Sequence, residues 1–551
     1  MSSKTNQQAA SLRSISPNQI ANIVAGVIIL IQGLYTYFLL NPVIGIDDAN
    51  ITQTYAAAFA QRFEFNYYPG GELVEGSTSL LWTLANSVLF LIPGPAETYV
   101  TIACFGLTFL TLRNCWQIGW LTFLSEKGVS LWLYSALFMT VALSVPTLFA
   151  WSLWTLMDIT LWLTLLSGIL FFATRQLVEP DRALEPRQQV WLTICIALLP
   201  ICRPEGIAIA LGMSLYLIAF AVVNQKKAMR NQFLLAMAAA LLVFAFATVW
   251  RLTYFGVPFP NTYYAKVSSD LIDQAMFGLH YLRWYLTTDS GLILILLAFG
   301  TGLASLTSAW RPVKAIFEAR GFQVLFVLGV FGLYTMLGGD HFDSYRFYQP
   351  AHLILIPWIA GRLCFLLHKY GFISRPPVVL GVTAMMSMLA LTSLNAFAID
   401  GGGLGKEFRI AEDGRAIGQK LNRLAPQTSL GIVPAGGISR TYTQGPIYDL
   451  MGLNWSEMAH ATEDLSGTFR NHGAFSDDVF WRVEPDVMLP ALHDCAALET
   501  YPDPFWNHVL KGLLESERFT ANYELLCLDS VAMYVRRETS ATIRASLNAP
   551  S

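Results

Sequence analysis

Long apolar runs recur along the first two thirds of the chain, and polar segments separate them. Ile20–Leu40, Tyr99–Trp116, Val129–Val145, Leu153–Thr174, Val190–Cys202, Gly206–Val223, Phe233–Trp250, Gly291–Leu306, Val324–Leu337, Leu353–Leu367 and Val378–Phe397 each predict a membrane-crossing helix. At 1.5 Å per residue the longer runs cross the ~30 Å of bilayer hydrocarbon, and the shorter ones draw on flanking residues or local thinning. Ser77–Ile92 is a further apolar run. Its length gives ~24 Å as a helix, so it is expected to dip in and return, its backbone satisfied by surrounding protein.

Positive residues mark the inner loops. With the polar stretch Met1–Asn18 inside, the loops holding Arg113 and Lys127, Arg175 to Arg187, Lys226 to Arg230, Arg311 to Arg320, and Lys369 with Arg375 all fall on the same side, provided 77–92 adds no crossing. Segments 41–76, 146–151, 251–290 and 338–349, and everything after Phe397, then lie outside. The division is a cytoplasmic tail 1–19, a membrane module 20–397 whose chemistry sits in outer loops 41–76, 251–290 and 338–349, and a soluble outer α/β domain 398–551. The fold class expected is a polytopic α-helical membrane protein of about 11 to 13 spans with that C-terminal domain.

Of the 551 residues, 54% are hydrophobic and 13% charged, about half the charge density of a soluble domain. A net charge of −3 with scattered Lys and Arg offers no basic surface and excludes nucleic acid as a partner. The seven cysteines show no metal-ligand spacing. Cys495 and Cys527 share the tail and can pair if it faces an oxidising compartment.

Polar oddities gather in the outer segments. Asp47 and Asp48 follow the first span and precede a helix-forming run, so they are either a cap with a solvated neighbour or a paired-carboxylate site. Tyr67 to Glu72 forms an aromatic-glycine turn that folds back over them, with Glu75 just beyond. The segment 256–266, GVPFPNTYYAK, sets Asn261, Tyr263, Tyr264 and Lys266 at the interface, as ligand groups or as an aromatic belt with a headgroup contact. In 337–353, Asp340, His341 and Asp343 lie beside Tyr345 and Arg346, whose guanidinium suits a phosphate or a structural carboxylate. His341 has no second histidine at ligand spacing; no metal site is indicated, and a divalent cation stays open. Arg203 and Glu205 bracket Pro204 and are expected to pair with each other or another loop. Asp158 either caps a helix or points into the outer cavity. In the tail, Ser429–Val433 reads as a strand running into Gly436-Gly437, a weak nucleotide-like signal without the longer fingerprint.

In order and spacing these motifs resemble the multi-spanning glycosyltransferases of the GT-C fold that use lipid-linked sugars, particularly the branch holding the terminal arabinofuranosyltransferase of mycobacterial cell walls. The similarity runs through Asp47-Asp48-Ala49, Tyr68-Pro69-Gly70, Val74-Glu75-Gly76, Leu81-Trp82-Thr83, Arg203-Pro204-Glu205-Gly206, Pro258 to Lys266, Gly338-Gly339-Asp340 with Tyr345-Arg346-Phe347, and Tyr448 to Leu453. It departs at Leu156-Met157-Asp158-Ile159, where the family often has Gly-Met-Glu-Thr, and at His341, where an aromatic is usual.

The resemblance implies an inverting transfer of a sugar from a polyprenyl-phosphate donor to a cell-envelope glycan, glycolipid or glycoprotein acceptor. The site would face outward in the inner (plasma) membrane, among membrane lipids. Asp47 would be the general base, Asp48 would orient it or the acceptor, and Arg346, then Lys266, would hold the donor phosphate. Glu75, Asp158, Arg203, Glu205, Asn261, Tyr263, Tyr264, Asp340, His341 and Tyr345 complete the candidate site, and the tail would recognise acceptor, cover the site or act as a structural cap. Two rivals remain: a transporter or flippase, which would show inverted repeats and midplane charges, and a non-sugar head-group transferase, which would need a nucleophile beside a metal cluster.

Overall fold

A computed structural model describes residues 15–40, 44–123, 130–267, 270–288, 291–303, 318–342, 344–370, 404–462, 465, 472–492, 495, 504–528 and 531–548. The expected span Val378–Phe397 and Asp343 lie outside the described residues. Among the described residues six helices are long and apolar enough to cross a membrane: Pro17–Leu34, Ile159–Val178, Gly206–Val223, Lys227–Tyr254, Ala319–Met336 and Arg346–Lys369. A seventh is reached if the bent pair Leu131–Leu143 and Pro146–Trp154 is one span. The chain is a multi-pass membrane protein.

The runs Val129–Val145 and Leu153–Thr174 were separated in sequence by an outer segment at 146–151; instead the chain bends by 78° and helix resumes from Pro146 to Trp154. Pro146 supplies no N–H to the preceding turn, so the first helix stops before it, while its fixed φ starts the next. Leu80–Phe90 is an 11-residue helix capped by Ser79, whose side chain accepts the Trp82 N–H. Such a helix is ~16 Å long, well short of the hydrocarbon thickness.

The tail holds a five-stranded sheet: β1 Leu430–Ile432, β2 Ile447–Asp449, β3 Val487–Leu489, β4 Tyr523–Leu528 and β5 Val531–Arg536, in the order β2-β1-β3-β5-β4. β1 is parallel to β2 and β3, while β3–β5 and β5–β4 are antiparallel. β1 is followed by its neighbour on one side and later paired on the other, so the chain reverses direction across the sheet between β1 and β3. Crevices of this kind, at the carboxyl ends of parallel strands, are where α/β sheets bind ligands. Cys495 and Cys527 are joined in a disulfide with Cα atoms 5.7 Å apart.

The tail does not stand apart from the membrane part. Ile51, Tyr55, Phe65, Tyr67, Val74 and Leu80 from the first loop share one buried apolar cluster with Ile417, Leu430, Ile432, Val487, Val535 and Leu547 of the tail. Gly76 fits where a Cβ would lie 2.1 Å from Asn454 Oδ1 and 2.5 Å from the Tyr55 hydroxyl. Only glycine permits that approach.

Candidate active site

The helix Asp47–Arg62 opens on two acids and closes on Arg62, the charge order that suits a helix dipole. Neither aspartate caps it: Ile46 is the N-cap, with no side-chain hydrogen bond. Both carboxylates are used elsewhere. Asp47 Oδ2 accepts the Gly436 N–H at 3.0 Å and Oδ1 the Gly437 N–H at 2.8 Å. Asp48 turns toward Arg346, 3.8 Å away. Burial pushes the Asp47 carboxyl up to about 6, against the pull of the two glycine amides and with a smaller push from Asp48.

Between the outer loops and the tail lies a cavity of about 570 Å³, the size of a small-ligand site. Asp47, Asp48, Ile51, Lys266, His341 and Phe342 form its membrane-side wall. The tail supplies the rest: Lys406, Glu407, Arg409, Ile410 and Asp413 from the helix Leu404–Leu421, the ends of the three parallel strands at Val433 to Ala435, Met451, Leu453, Ala491 and Leu492, and His472, Phe505 and Trp506. Glu407 is pushed up to about 8 by burial first, then by Asp48 and Asp47. Cations, carboxyls and exposed aromatic rings thus converge on one space, a combination suited to a sugar bearing a phosphate.

Of the residues singled out in sequence, the structure brings Asp47, Asp48, Lys266 and His341 to the cavity wall. The others lie behind it. Arg346 is 7% exposed, ion-paired with Asp340 and packed against the rings of Phe342 at 4.5 Å, Phe347 at 5.3 Å and Trp151 at 5.7 Å. It does not line the cavity, and its neighbouring carboxylates are Asp340 and, at 3.8 Å, Asp48. Burial alone would raise the Asp340 carboxyl, yet Arg346 and His341 hold it well below the usual range. Tyr345 packs between Tyr281 and Tyr285 in a left-handed conformation.

Glu75 is buried in a two-pronged pair with Arg251, Nε to Oε2 at 2.6 Å and Nη2 to Oε1 at 2.9 Å. Asp158 stands at the N-cap position of the helix Ile159–Val178, but its carboxylate makes no cap hydrogen bond and does not line the cavity: Arg203 bridges it at 2.9 Å to Glu205 at 2.6 Å, and the Tyr334 hydroxyl donates to Glu205 at 3.0 Å. Charges at that depth are tolerated only when paired. Asn261 pins the tail by donating to the Gly452 and Leu453 carbonyls, Tyr264 stacks on His460, and Tyr263 is exposed. Sequence reasoning missed Lys406, Glu407, Arg409, His472 and Trp506. The signal in sequence is the alternation of charged and apolar positions at helical spacing over 407–424, a pattern shared by ordinary solvated helices. Among the described residues no group of three or more His, Cys, Asp or Glu could hold a metal ion.

No protein-family model matches the chain, and no curated protein matches it in sequence. Three solved structures are similar in fold. ArnT from Cupriavidus metallidurans bound to undecaprenyl phosphate shares 12% identity over 97% of this chain and 99% of that one, with a TM-score of 0.55. The same enzyme in the apo state gives 11% identity, 96% and 99% coverage and 0.53. The Archaeoglobus fulgidus oligosaccharyltransferase in the apo form gives 12%, 94% and 74%, and 0.52. Both proteins are GT-C fold glycosyltransferases, and this chain shares their fold over nearly its whole length.

Proposed function

We propose that the protein is an inverting glycosyltransferase that moves a sugar from a polyprenyl-phosphate donor to a cell-envelope glycan, glycolipid or glycoprotein. The observation that carries this is the placing of two carboxylates and Lys266 on one cavity wall at the outer end of the membrane helices, in a fold shared with a protein bound to undecaprenyl phosphate. The acceptor oxygen bonds to the anomeric carbon as the carbon–phosphate oxygen bond breaks. The electron pair leaves with the phosphate, and the acceptor proton passes to Asp47. Lys266, with Lys406 and Arg409 across the cavity, offers cationic charge to the departing phosphate. Arg346 acts one step back, holding Asp48. A phosphate leaving group needs no acid, so a single displacement with inversion suffices.

The Cys495–Cys527 disulfide and the shared core of first loop and tail support an extracytoplasmic location for both. The resemblance to the arabinofuranosyltransferase branch supports a pentose or hexose as the sugar. Asp47→Asn is expected to leave the protein in the membrane and to lower transfer by about 10²–10⁴-fold. The check is mass spectrometry of cell-envelope glycans with native, variant and deleted gene; an unchanged glycan profile on deletion would overturn the reading, and native-level transfer by the variant would remove Asp47 from it.

A further inference from the structure

The glycine pair after β1 has the look of a phosphate-binding turn, yet what it holds is a side chain of the same protein. Gly436 and Gly437 donate their N–H groups one to each oxygen of Asp47, from a segment 389 and 390 residues away. The approach depends on glycine: a Cβ at Gly436 would lie 1.8 Å from the Asp47 carbonyl oxygen, and one at Gly437 would lie 2.6 Å from that of Ala411. The turn is itself anchored to the first loop, since the Tyr67 hydroxyl donates to the Ala435 carbonyl at 2.6 Å and Thr54 meets Ser439 at 3.1 Å. Arg415 of the tail closes the other side, donating to Asn50 Oδ1 at 3.1 Å.

We infer that the tail turn Pro434–Gly437 is a positioning device of the active site, its two backbone amides fixing the carboxylate of Asp47 so that the remaining lone pairs face the cavity. A carboxylate has about four acceptor sites; two amides leave room for an incoming hydroxyl, and Asp47 remains on the cavity wall. Hydrogen bonds to the charged form favour it. The amides therefore counter the burial that would otherwise leave Asp47 protonated and useless as a base at neutral pH. The other groups around Asp47 are Asp48 on its own helix, Tyr67 on the loop, Glu407 and Arg415 on the tail helix, Asp449 at the end of β2 and Lys266 on the same cavity wall. Neither substitution below touches these charges, except for the Tyr67 hydroxyl itself.

The inference rests on Asp47 as the base, but its test does not need transfer. A hydrophobic carbodiimide modifies only protonated carboxyls, so the pH dependence of Asp47 labelling in purified full-length protein, read by peptide mass spectrometry, reports its protonation. The native midpoint is expected at about 6. Gly436→Ala, which pushes the turn off Asp47, is expected to raise it by about one unit or more, tenfold in proton affinity. Tyr67→Phe, which releases the turn without a clash, is expected to raise it by a smaller amount and to move the acid limb of transfer by the same interval. If Gly436→Ala does not fold, Tyr67→Phe decides. An unmoved midpoint in folded variant protein overturns the inference. A moved midpoint in a protein with no transferase activity keeps the positioning and overturns the proposed function instead.

Discussion

At the residue scale, two neighbouring aspartates have been driven into different surroundings. Asp47 is enclosed and tied to backbone amides, while Asp48 is partly open and faces a guanidinium. Their adjacency was legible in sequence; their partners were not, because those partners lie roughly three hundred residues or more further on and one pair of them is main chain. Glu407 makes the same point more strongly. It sits in a helix of ordinary charged composition, and burial against the first loop, then the nearness of Asp48 and Asp47, gives it a distinct acidity. Raised to about 8, it is mostly neutral at pH 7, and as pH rises through 8 it places a third negative charge on the cavity wall. An anionic lipid-phosphate donor is then expected to bind more weakly, by roughly fivefold for a screened interaction on the order of 1 kcal/mol. Donor KM measured from pH 6.5 to 9, on either side of the Glu407 titration at about 8, should rise in native protein and stay flat in Glu407→Gln, which is neutral throughout. An equal rise in both would show that Glu407 does not face the donor.

At the element scale, the ends of the membrane helices nearest the tail are held by buried ion pairs that the sequence announced only in part. Arg203 and Glu205 are two residues apart and were expected to meet; Asp158 joins them because a break in helix at 155–158 delivers it there. Glu75 and Arg251 looked unrelated, one a loop acid and the other the basic end of a long apolar run. Their pairing ties the first loop to the helix Lys227–Tyr254 with both side chains under 5% exposed. Removing one charge strands the other, so Glu75→Gln is expected to cost about 3–5 kcal/mol of stability. Adding Arg251→Met should recover most of that, since the paired charges contribute little beyond their own desolvation. Thermal unfolding of the two single variants and the double variant in detergent measures the cycle, and a double variant as unstable as the sum of the singles would show that the pair is not the operative contact.

For the whole molecule, apolar periodicity was sufficient to locate most membrane helices, since burial in lipid demands long uninterrupted runs. It could not reveal the cavity, whose wall is assembled from the first loop, two later loops and a tail of opposite composition. The bend at Pro146 was likewise visible only as a gap between runs. Because the first loop and the tail share a core, they must occupy the same side of the membrane. Gln61 and Glu515 are both exposed on them, and Gln61→Cys and Glu515→Cys are expected to react with a membrane-impermeant maleimide from the outer face of intact cells. Labelling of one site but not the other would contradict the shared core.

That shared core also governs how the protein comes into being. Tyr55, Phe65, Val74 and Leu80 are synthesised well before their partners Ile543 and Leu547, which follow more than four hundred residues later. At about 5–20 residues per second, roughly half a minute to a minute and a half of synthesis separates them. Throughout that interval the loop carrying the proposed base exposes aromatic surface to water and cannot yet hold its geometry. The geometry proposed for Asp47 therefore waits on the tail, and a ribosome that stops short of β5 leaves an unpartnered, adhesive loop, a natural substrate for quality-control proteases.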